Sequence, residues 1–567
     1  MCSTEARTTT DPIVPERPPW ATLAVIAALG LIAGSFAIAN TSIGWHLASG
    51  HWVLNHRAVP RSDPFSTTAE GTPWIDHEWG FQVMLAAVEH LGGAPLLVLT
   101  RAVLVAALAV LLLLLGFRSG LSPPSALVLA VLCLYGARIR FFLRPELATL
   151  LLAPAVVWIF LHRHDRGGRG WPLAIGALMA AGSNLHAGIL VVPPLLAGLL
   201  AAESLQWLWT RRDPRPFASG ALGLAVAAAA PMLNPYGWRL YQVPIEIARL
   251  VGLPHIPNPE WISPSFRDVP PLYVAIAASF ALLALRERRL ARWTLLVMTS
   301  ALALRYVRNV GLFFALLPIA VAPALASLPA LGRAGASARH AAWRLAAVVL
   351  AVLVVASMAA EPGRRPALSF SDRFYPVRAL AFIEQQGLAG ASLYNDVRFG
   401  GFLIRHFYPE RRAFLDDRNE IHEPLLAEIH ALLGSSDPRA WQSMLDRYAI
   451  EVALLRYNPP FTVVRPDGET IGRRGFSALW FPDERWALIY WDDTAMVLLD
   501  RTKADPTLLE RFAYRIVRPD DAEALVARIA ADPALRPIAA AELARKLREQ
   551  PDCERALSLS EQLLSSH

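Results

Sequence analysis

The chain has 567 residues, of which 54% are hydrophobic and only 18% are charged. With a mean hydropathy of +0.36, it has too little charge to cover the surface of a soluble protein of this size, which indicates a membrane protein. Its net charge of +7 comes largely from arginines in short loops between apolar runs. This distribution is typical of membrane topology rather than of a nucleic-acid surface, so we expect no nucleic-acid partner.

Residues 20–361 predict a helical transmembrane domain behind a cytoplasmic N-terminal tail, residues 1–19. A helix needs about 20 apolar residues to cross a bilayer, and about 17 at the short end. We therefore predict about eleven spans, at 20–40, 96–116, 123–138, 147–162, 171–186, 187–204, 217–233, 271–285, 293–306, 309–328 and 344–360. No small-residue cleavage site clearly follows the first run, which predicts an uncleaved anchor.

Arginines are concentrated in alternate loops between these predicted spans. They are Arg118, Arg163, Arg166, Arg169, Arg211, Arg212, Arg215, Arg286, Arg288, Arg289, Arg292, Arg333, Arg339 and Arg344. The positive-inside rule places these loops and the N-terminus in the cytoplasm. Eleven spans then place the long loop 41–95 and the part after residue 361 on the outer face of the membrane.

The first outer loop contains the candidates for catalytic residues. Asp76, His77 and Glu78 place two carboxylates beside an imidazole, which suits either a general base or a divalent cation. Asp63 is a further candidate, although an Asp-Pro pair is also common in turns. Asp76 is the preferred base because it lies between two tryptophans, just before a predicted membrane-surface helix at 81–91.

Five arginines lie on the predicted outer face, against the positive-inside trend. They are Arg138, Arg140, Arg144, Arg305 and Arg308. Guanidinium groups bind phosphate through charge-assisted hydrogen bonds, so this cluster could hold a phosphate or pyrophosphate. Alternatively, these arginines could pair with outer acids and only tie loops together; those acids are Asp63, Asp76, Glu78, Glu146 and Glu260.

Three further outer residues are candidates for substrate binding: Asn184 and His186 at the end of the fifth predicted span, and Trp238 after the seventh. Trp238 could be a membrane-interface residue or a platform for a sugar ring or an isoprenoid. A second surface helix is predicted at 240–253. The chain contains no phosphate loop, no dinucleotide fingerprint and no zinc-protease motif.

Several outer motifs form a set. They are Gly44 to Gly50, Pro60 to Ser66, Trp74 to Trp79, Arg144 to Glu146, Asn184 to His186, Asn234 to Trp238, Arg308-Asn309, Tyr394 to Asp396, Gly400 to Ile404 and Phe414 to Arg418. Together they resemble a family of bacterial multi-span proteins in the GT-C class of membrane glycosyltransferases. The resemblance implies an inner-membrane protein, a polyprenyl-phosphate sugar donor used on the outer face, and an acid in the first outer loop as base or metal ligand.

One position departs from that family. Its members usually carry an Asp directly after the first span, before a Trp-His pair, whereas residues 40–44 of this chain contain no acid. Either Asp63 or the pair Asp76 and Glu78 takes this role, or the chain lacks the activity.

Residues 362–504 predict a soluble outer α/β domain, and residues 505–567 predict a helical C-terminal segment. The predicted elements are helices at 376–386, 401–407 and 441–448, strands at 391–394, 412–415 and 452–455, and a hairpin of 486–490 with 495–499. Polar residues follow two of these strands and could be ligand groups or only turn and capping residues. They are Asn395, Asp396, Asp416, Asp417 and Arg418.

The predicted fold class is mainly α, a polytopic GT-C-like helical domain followed by an α/β domain with a helical end. We predict an inverting glycosyltransferase that transfers a sugar from a polyprenyl phosphate to an envelope acceptor on the outer face. The expected partners are membrane lipid, the lipid-linked sugar and a glycan or lipid acceptor; the only cofactor considered is a divalent cation. The alternatives are a non-catalytic transporter or scaffold for envelope polysaccharide, and a polymerase or ligase of polyprenyl-linked glycans.

Overall fold

A computed structural model describes residues 18–164, 170–210, 215–256, 258–332, 340–435, 437–464 and 470–565. Most of the predicted cytoplasmic tail lies outside these described residues. So do six of the predicted inside arginines: Arg166, Arg169, Arg211, Arg212, Arg333 and Arg339.

The N-terminal part is helical, since a helix satisfies the backbone hydrogen bonds of an apolar run within one segment, as a bilayer requires. Its helices are α1 (Trp20–Gly34), α2 (Ile43–His56), α3 (Trp79–Arg118), α4 (Pro123–Ala137), α5 (Glu146–Leu161), α6 (Trp171–Leu185), α7 (Val192–Thr210), α8 (Arg215–Ala229), α9 (Gln242–Val251), α10 (Pro270–Arg286), α11 (Leu290–Arg305), α12 (Val310–Ala326) and α13 (His340–Ala360). A helix covers most of every predicted span, and α2 is an additional helix within the first outer loop.

Length and composition allow four helices among the described residues to cross a membrane. They are Trp79–Arg118, Ala187–Thr210, Val307–Ala326 and Ala342–Ala360. A fifth is counted if Phe217–Leu233 and Gly237–Val251, which meet at a bend of 110°, form one span. The structure is therefore that of a multi-pass helical membrane protein, while the number of eleven crossings stays a prediction.

Both predicted surface helices are present next to sharp changes of direction. The helix predicted at 81–91 is the first part of α3, which breaks at Gly92 and Gly93. Gly93 has a φ of 59° and a ψ of −152°, which only glycine adopts readily. The helix predicted at 240–253 is α9, and its side chain Ile245 is 73% exposed. Their location at the membrane surface stays a prediction.

The C-terminal part is an α/β unit followed by helices. Its elements are α14 (Val377–Gln385), β1 (Leu393–Asn395), α15 (Val397–Phe407), α16 (Asn419–Ser435), α17 (Pro438–Arg447), β2 (Val452–Arg456), β3 (Phe461–Val464), β4 (Thr470–Arg474), α18 (Phe476–Trp480), β5 (Trp486–Trp491), β6 (Ala495–Asp500), α19 (Pro506–Phe512), α20 (Ala522–Ala531), α21 (Arg536–Glu549) and α22 (Glu554–Ser565). The sheet order is β1-β2-β6-β5; β1 is parallel to β2 and the other neighbours are antiparallel.

The prediction of a strand at 412–415 is wrong, because this described segment pairs outside the sheet. Ala413 forms a single bridge with Ser66 of the first outer loop. The Asn395 side chain takes two of the remaining backbone groups: its Oδ1 accepts from Phe414 N at 2.9 Å, and its Nδ2 donates to Leu415 O at 2.8 Å. The segment therefore connects the C-terminal part to the first outer loop.

The C-terminal part packs directly on the first outer loop. Helix α15 approaches α2 so closely that a Cβ on Gly44 would lie 2.0 Å from Gly401 O. A Cβ on Gly401 would lie 2.4 Å from Thr41 O. Side chains of both parts form one hydrophobic core, so the two parts are joined by packing as well as by the chain.

Candidate active site

A cavity of about 420 Å³ opens where the helical part, the first outer loop and the C-terminal part meet. We call it the polar cavity, because charged and polar side chains make up much of its wall. These are Arg140, Arg144, Arg308, Arg398, Glu78, Glu146, Glu260, Asp417, His46, His186, Asn40, Thr41, Ser42, Asn258 and Asn419.

Three of the predicted arginines converge on Glu260. The closest nitrogen of Arg140 lies 3.2 Å from its carboxylate, Arg144 contacts it directly, and Arg308 lies 3.9 Å away. Glu146 also accepts from Arg140 Nε at 3.0 Å. Burial opposes ionisation of Glu260, but the three arginines outweigh it and hold the pKa of Glu260 well below its usual range. Within this cluster, three guanidinium groups face the carboxylates of Glu146 and Glu260, which is a local excess of positive charge suited to an anion.

Short 3-10 turns place these side chains. Arg140 ends the turn Arg138–Arg140 after α4, and Arg308 lies in the turn Val307–Asn309 before α12. Glu260 lies in a third turn, where the Asn258 side chain accepts from Glu260 N at 2.9 Å. The helix ends, rather than the helix bodies, therefore form the basic wall.

The other two predicted arginines do not line the polar cavity. Arg138 Nε donates to Glu361 Oε1 at 2.6 Å, and its guanidinium lies 3.9 Å from the centre of the Tyr135 ring. Arg305 is exposed, and its guanidinium lies over Tyr306 at 4.7 Å. The predicted convergence thus holds for three arginines, because these two have other partners.

Glu78 lines the polar cavity and is only 8% exposed. Three histidine nitrogens surround it: His46 Nδ1 and His186 Nε2 at 3.6 Å, and His77 Nδ1 at 3.8 Å. Burial, opposed by Arg308, raises the pKa of Glu78 to about 8. Burial also lowers the pKa of His77 to about 4 and that of His46 well below its usual value. These two histidines are therefore neutral at pH 7 and do not neutralise Glu78.

The two other candidate acids are buried away from the polar cavity. Asp76 accepts from Ser49 Oγ and Gln82 Nε2, both at 2.6 Å. Burial nevertheless raises the pKa of Asp76 to about 6. Asp63 accepts from Arg418 Nη1 at 2.8 Å, in an ion pair without exposure. Asp76, the preferred candidate, therefore accepts hydrogen bonds within the first outer loop, whereas Glu78 faces the cavity.

The predicted substrate-binding residues Asn184, His186 and Trp238 occupy three different environments. His186 lines the cavity, with its Nε2 3.2 Å from Arg308 Nη2. Asn184 Oδ1 accepts from Trp79 Nε1 at 3.0 Å, so it positions the start of α3. Trp238 is 62% exposed beside α9 and does not line the cavity.

Asp417 also lines the polar cavity, and it was not among the residues predicted to be catalytic or substrate-binding. Its position after the apolar pair Phe414-Leu415, within Asp416-Asp417-Arg418, was compatible with a ligand group and with a turn. For the predicted cation, the described residues contain no group of three or more His, Cys, Asp or Glu placed to hold a metal ion. Within the triplet 76–78, Asp76 is buried against Ser49 and Gln82, whereas Glu78 faces the polar cavity.

No protein-family model and no curated protein matches the sequence. Solved structures match the fold. The archaeal oligosaccharyltransferase AglB from Archaeoglobus fulgidus, in complex with an inhibitory peptide and a dolichol-phosphate, is 11% identical with a TM-score of 0.58, over 94% of this chain and 86% of that chain. The oligosaccharyltransferase of the same organism, tethered to an acceptor peptide containing the NVT sequon, is 11% identical with a TM-score of 0.54, over 83% and 79%.

A complex of that oligosaccharyltransferase with Zn and sulfate has a TM-score of 0.53 at 11% identity, over 93% of this chain and 86% of that chain. The predicted resemblance to GT-C-class glycosyltransferases is thus confirmed as a resemblance of fold. Identity at this level carries over the fold and not the reaction.

Proposed function

We propose that this protein is an inverting glycosyltransferase that transfers a sugar from a polyprenyl-phosphate donor to a glycan or lipid acceptor of the cell envelope. The reaction takes place on the outer face of a bacterial inner membrane, with the N-terminus in the cytoplasm. The observation that carries the proposal is the convergence of Arg140, Arg144 and Arg308 on one polar cavity. A dolichol-phosphate bound to the archaeal neighbour supports a lipid-phosphate donor.

The chemistry follows from the charges of the cavity. A hydroxyl of the acceptor attacks the anomeric carbon of the donor, and the bond from that carbon to the phosphate oxygen breaks. The phosphate leaves with the electron pair, and the guanidinium groups stabilise its charge through charge-assisted hydrogen bonds. Arg140 is pre-positioned by Glu146, so little reorganisation is needed when the charge develops.

Binding of the lipid phosphate tests this proposal. We expect the purified protein in lipid nanodiscs to bind a polyprenyl phosphate at least about 10²-fold more tightly than the matched polyprenol, because each hydrogen bond to a charged group contributes about 1.5–3 kcal/mol. Native mass spectrometry and a sugar-transfer assay with lipid-phosphate sugars provide the measurements. Binding without release of sugar would favour the scaffold alternative, and equal binding of both lipids would contradict a phosphate site.

Glu78 predicts a specific pH dependence. With a pKa raised to about 8, its carboxyl is mostly protonated at pH 7 and donates a hydrogen bond to the polyprenyl-phosphate sugar. Above pH 8 the carboxyl ionises and repels the leaving phosphate. We therefore expect kcat/KM to fall with rising pH, with a slope that approaches tenfold per pH unit. Glu78→Gln keeps a neutral group that can donate a hydrogen bond. At pH 7 its kcat/KM should stay within about tenfold of that of the unmodified protein, and its kcat/KM should not fall at alkaline pH. A loss of about 10²-fold at pH 7 would instead make Glu78 the base.

A further inference from the structure

A second cavity of about 150 Å³ lies against the polar cavity. Apolar side chains of α9 and the following turn form much of its wall, among them Ile247, Leu250 and Ile256. The two cavities share Trp45, Glu78, Asn258, Arg308, Asp417 and Asn419. A donor and an acceptor in the two cavities would therefore meet beside these shared residues.

Asp417 is the shared carboxylate that comes from the C-terminal part. Its Oδ2 accepts from the Thr41 hydroxyl, and its Oδ1 accepts from Trp45 Nε1 at 2.8 Å. No ion pair among the described residues includes Asp417, whereas its neighbours Asp416 and Arg418 are paired. Asp417 thus reaches the acid-free segment 40–44 and occupies the place where the resemblance leads one to expect an acid.

Contacts on both sides hold the backbone of Asp417 in place. A Cβ on Gly400 would lie 2.0 Å from Leu415 O, so α15 packs directly against the segment that contains Asp417. Asn395 holds Leu415 through the hydrogen bond to its carbonyl. On the other side, Arg418 pairs with Asp63 at 2.8 Å. Such support on both sides is what a reactive group needs in order to keep its geometry.

The remaining acids of the polar cavity are less suited to accept a proton. Glu146 and Glu260 pair with arginines, and Glu78 is mostly protonated at pH 7. Burial raises the pKa of Asp417, although the Thr41 hydroxyl opposes this. A raised pKa makes a carboxylate a better proton acceptor.

We propose that Asp417 is the catalytic base, so that the C-terminal domain completes the active site. This inference rests on the proposed glycosyl transfer. The proton of the acceptor hydroxyl moves to the Asp417 carboxylate while the hydroxyl oxygen bonds to the anomeric carbon. The electron pair of the breaking carbon–oxygen bond leaves with the phosphate. Thr41 and Trp45 are positioning residues that orient the carboxylate.

Asp417→Asn tests this assignment. We expect kcat to fall by about 10²–10⁴-fold, the usual contribution of a general base, with polyprenyl-phosphate affinity within twofold. The matched control is Asp437→Asn, at the exposed cap of α17, which should leave kcat unchanged because Asn caps as well as Asp. Should Asp417→Asn not fold, Asp417→Glu displaces the charge by one CH₂ group and should lower kcat at least about tenfold.

Relocation of the carboxylate gives a second, independent readout. In the Asp417→Asn background, Thr41→Asp places an acid at the same corner of the cavity, and kcat should recover at least about tenfold. An active protein whose kcat is unchanged by Asp417→Asn would overturn the base assignment and leave the proposed transfer intact. If the unmodified protein binds the lipid phosphate but transfers no sugar, the proposed function itself is wrong, and the base assignment with it.

Discussion

Replacing Arg308 by alanine is expected to lower kcat/KM for sugar transfer by about 10²-fold or more, comparable to removal of an oxyanion donor from other active sites. Arg308 lines both cavities and is less tightly paired than Arg140, since its nearest contact with Glu260 is 3.9 Å. Among the three arginines that converge on Glu260, its charge is therefore the one most available to a phosphate. Arg308→Lys should recover only part of the rate, because an ammonium lacks the planar fork that binds two oxygens.

The control for this experiment lies three residues earlier in the chain. Arg305 has the same charge, is exposed and does not line either cavity. We expect Arg305→Ala to change kcat/KM less than about threefold, as a screened surface charge should. Equal losses for Arg305→Ala and Arg308→Ala would mean that general electrostatic attraction, rather than a defined phosphate site, determines the rate.

The second large effect concerns the joint between the first outer loop and the C-terminal part. Arg418 pairs with Asp63 at 2.8 Å and with Asp416 at 2.6 Å, and all three side chains are without exposure. Arg418→Met leaves the buried carboxylate of Asp63 without a counter-ion, and leaves Asp416 with only His422, whose Nε2 lies 3.2 Å from it. We expect it to reduce the free energy of unfolding by about 3–5 kcal/mol. It should also abolish activity, because the same joint holds Asp417.

Thermal unfolding and protease resistance in detergent provide the measurement for Arg418→Met. Adding Asp416→Asn to this variant should recover part of the stability, since it removes one of the two buried negative charges that Arg418 had neutralised. Arg447→Met is the control, because Arg447 and Glu428 form an exposed pair that contributes at most about 1 kcal/mol. If the two arginine substitutions destabilise the protein equally, the buried network does not hold the joint.

Local sequence patterns were sufficient to predict the helices and much of the sheet. The run at 309–328 predicted α12, Val310–Ala326, since the length of an apolar run is a local property. The predicted hairpin corresponds to β5 and β6, because its turn is also local: the Asp492 side chain accepts from Thr494 N at 2.7 Å and Ala495 N at 2.8 Å.

Which polar side chains face the cavity depends on contacts between segments that are distant in the sequence. Asp76 and Glu78 are two residues apart, yet the first is buried against Ser49 and Gln82 while the second faces the arginines. Asp417 contacts Thr41 across 376 residues of sequence. That contact depends on how α15 docks on α2, which is set by packing between distant segments, and neither apolar run length nor local turn chemistry contains that information.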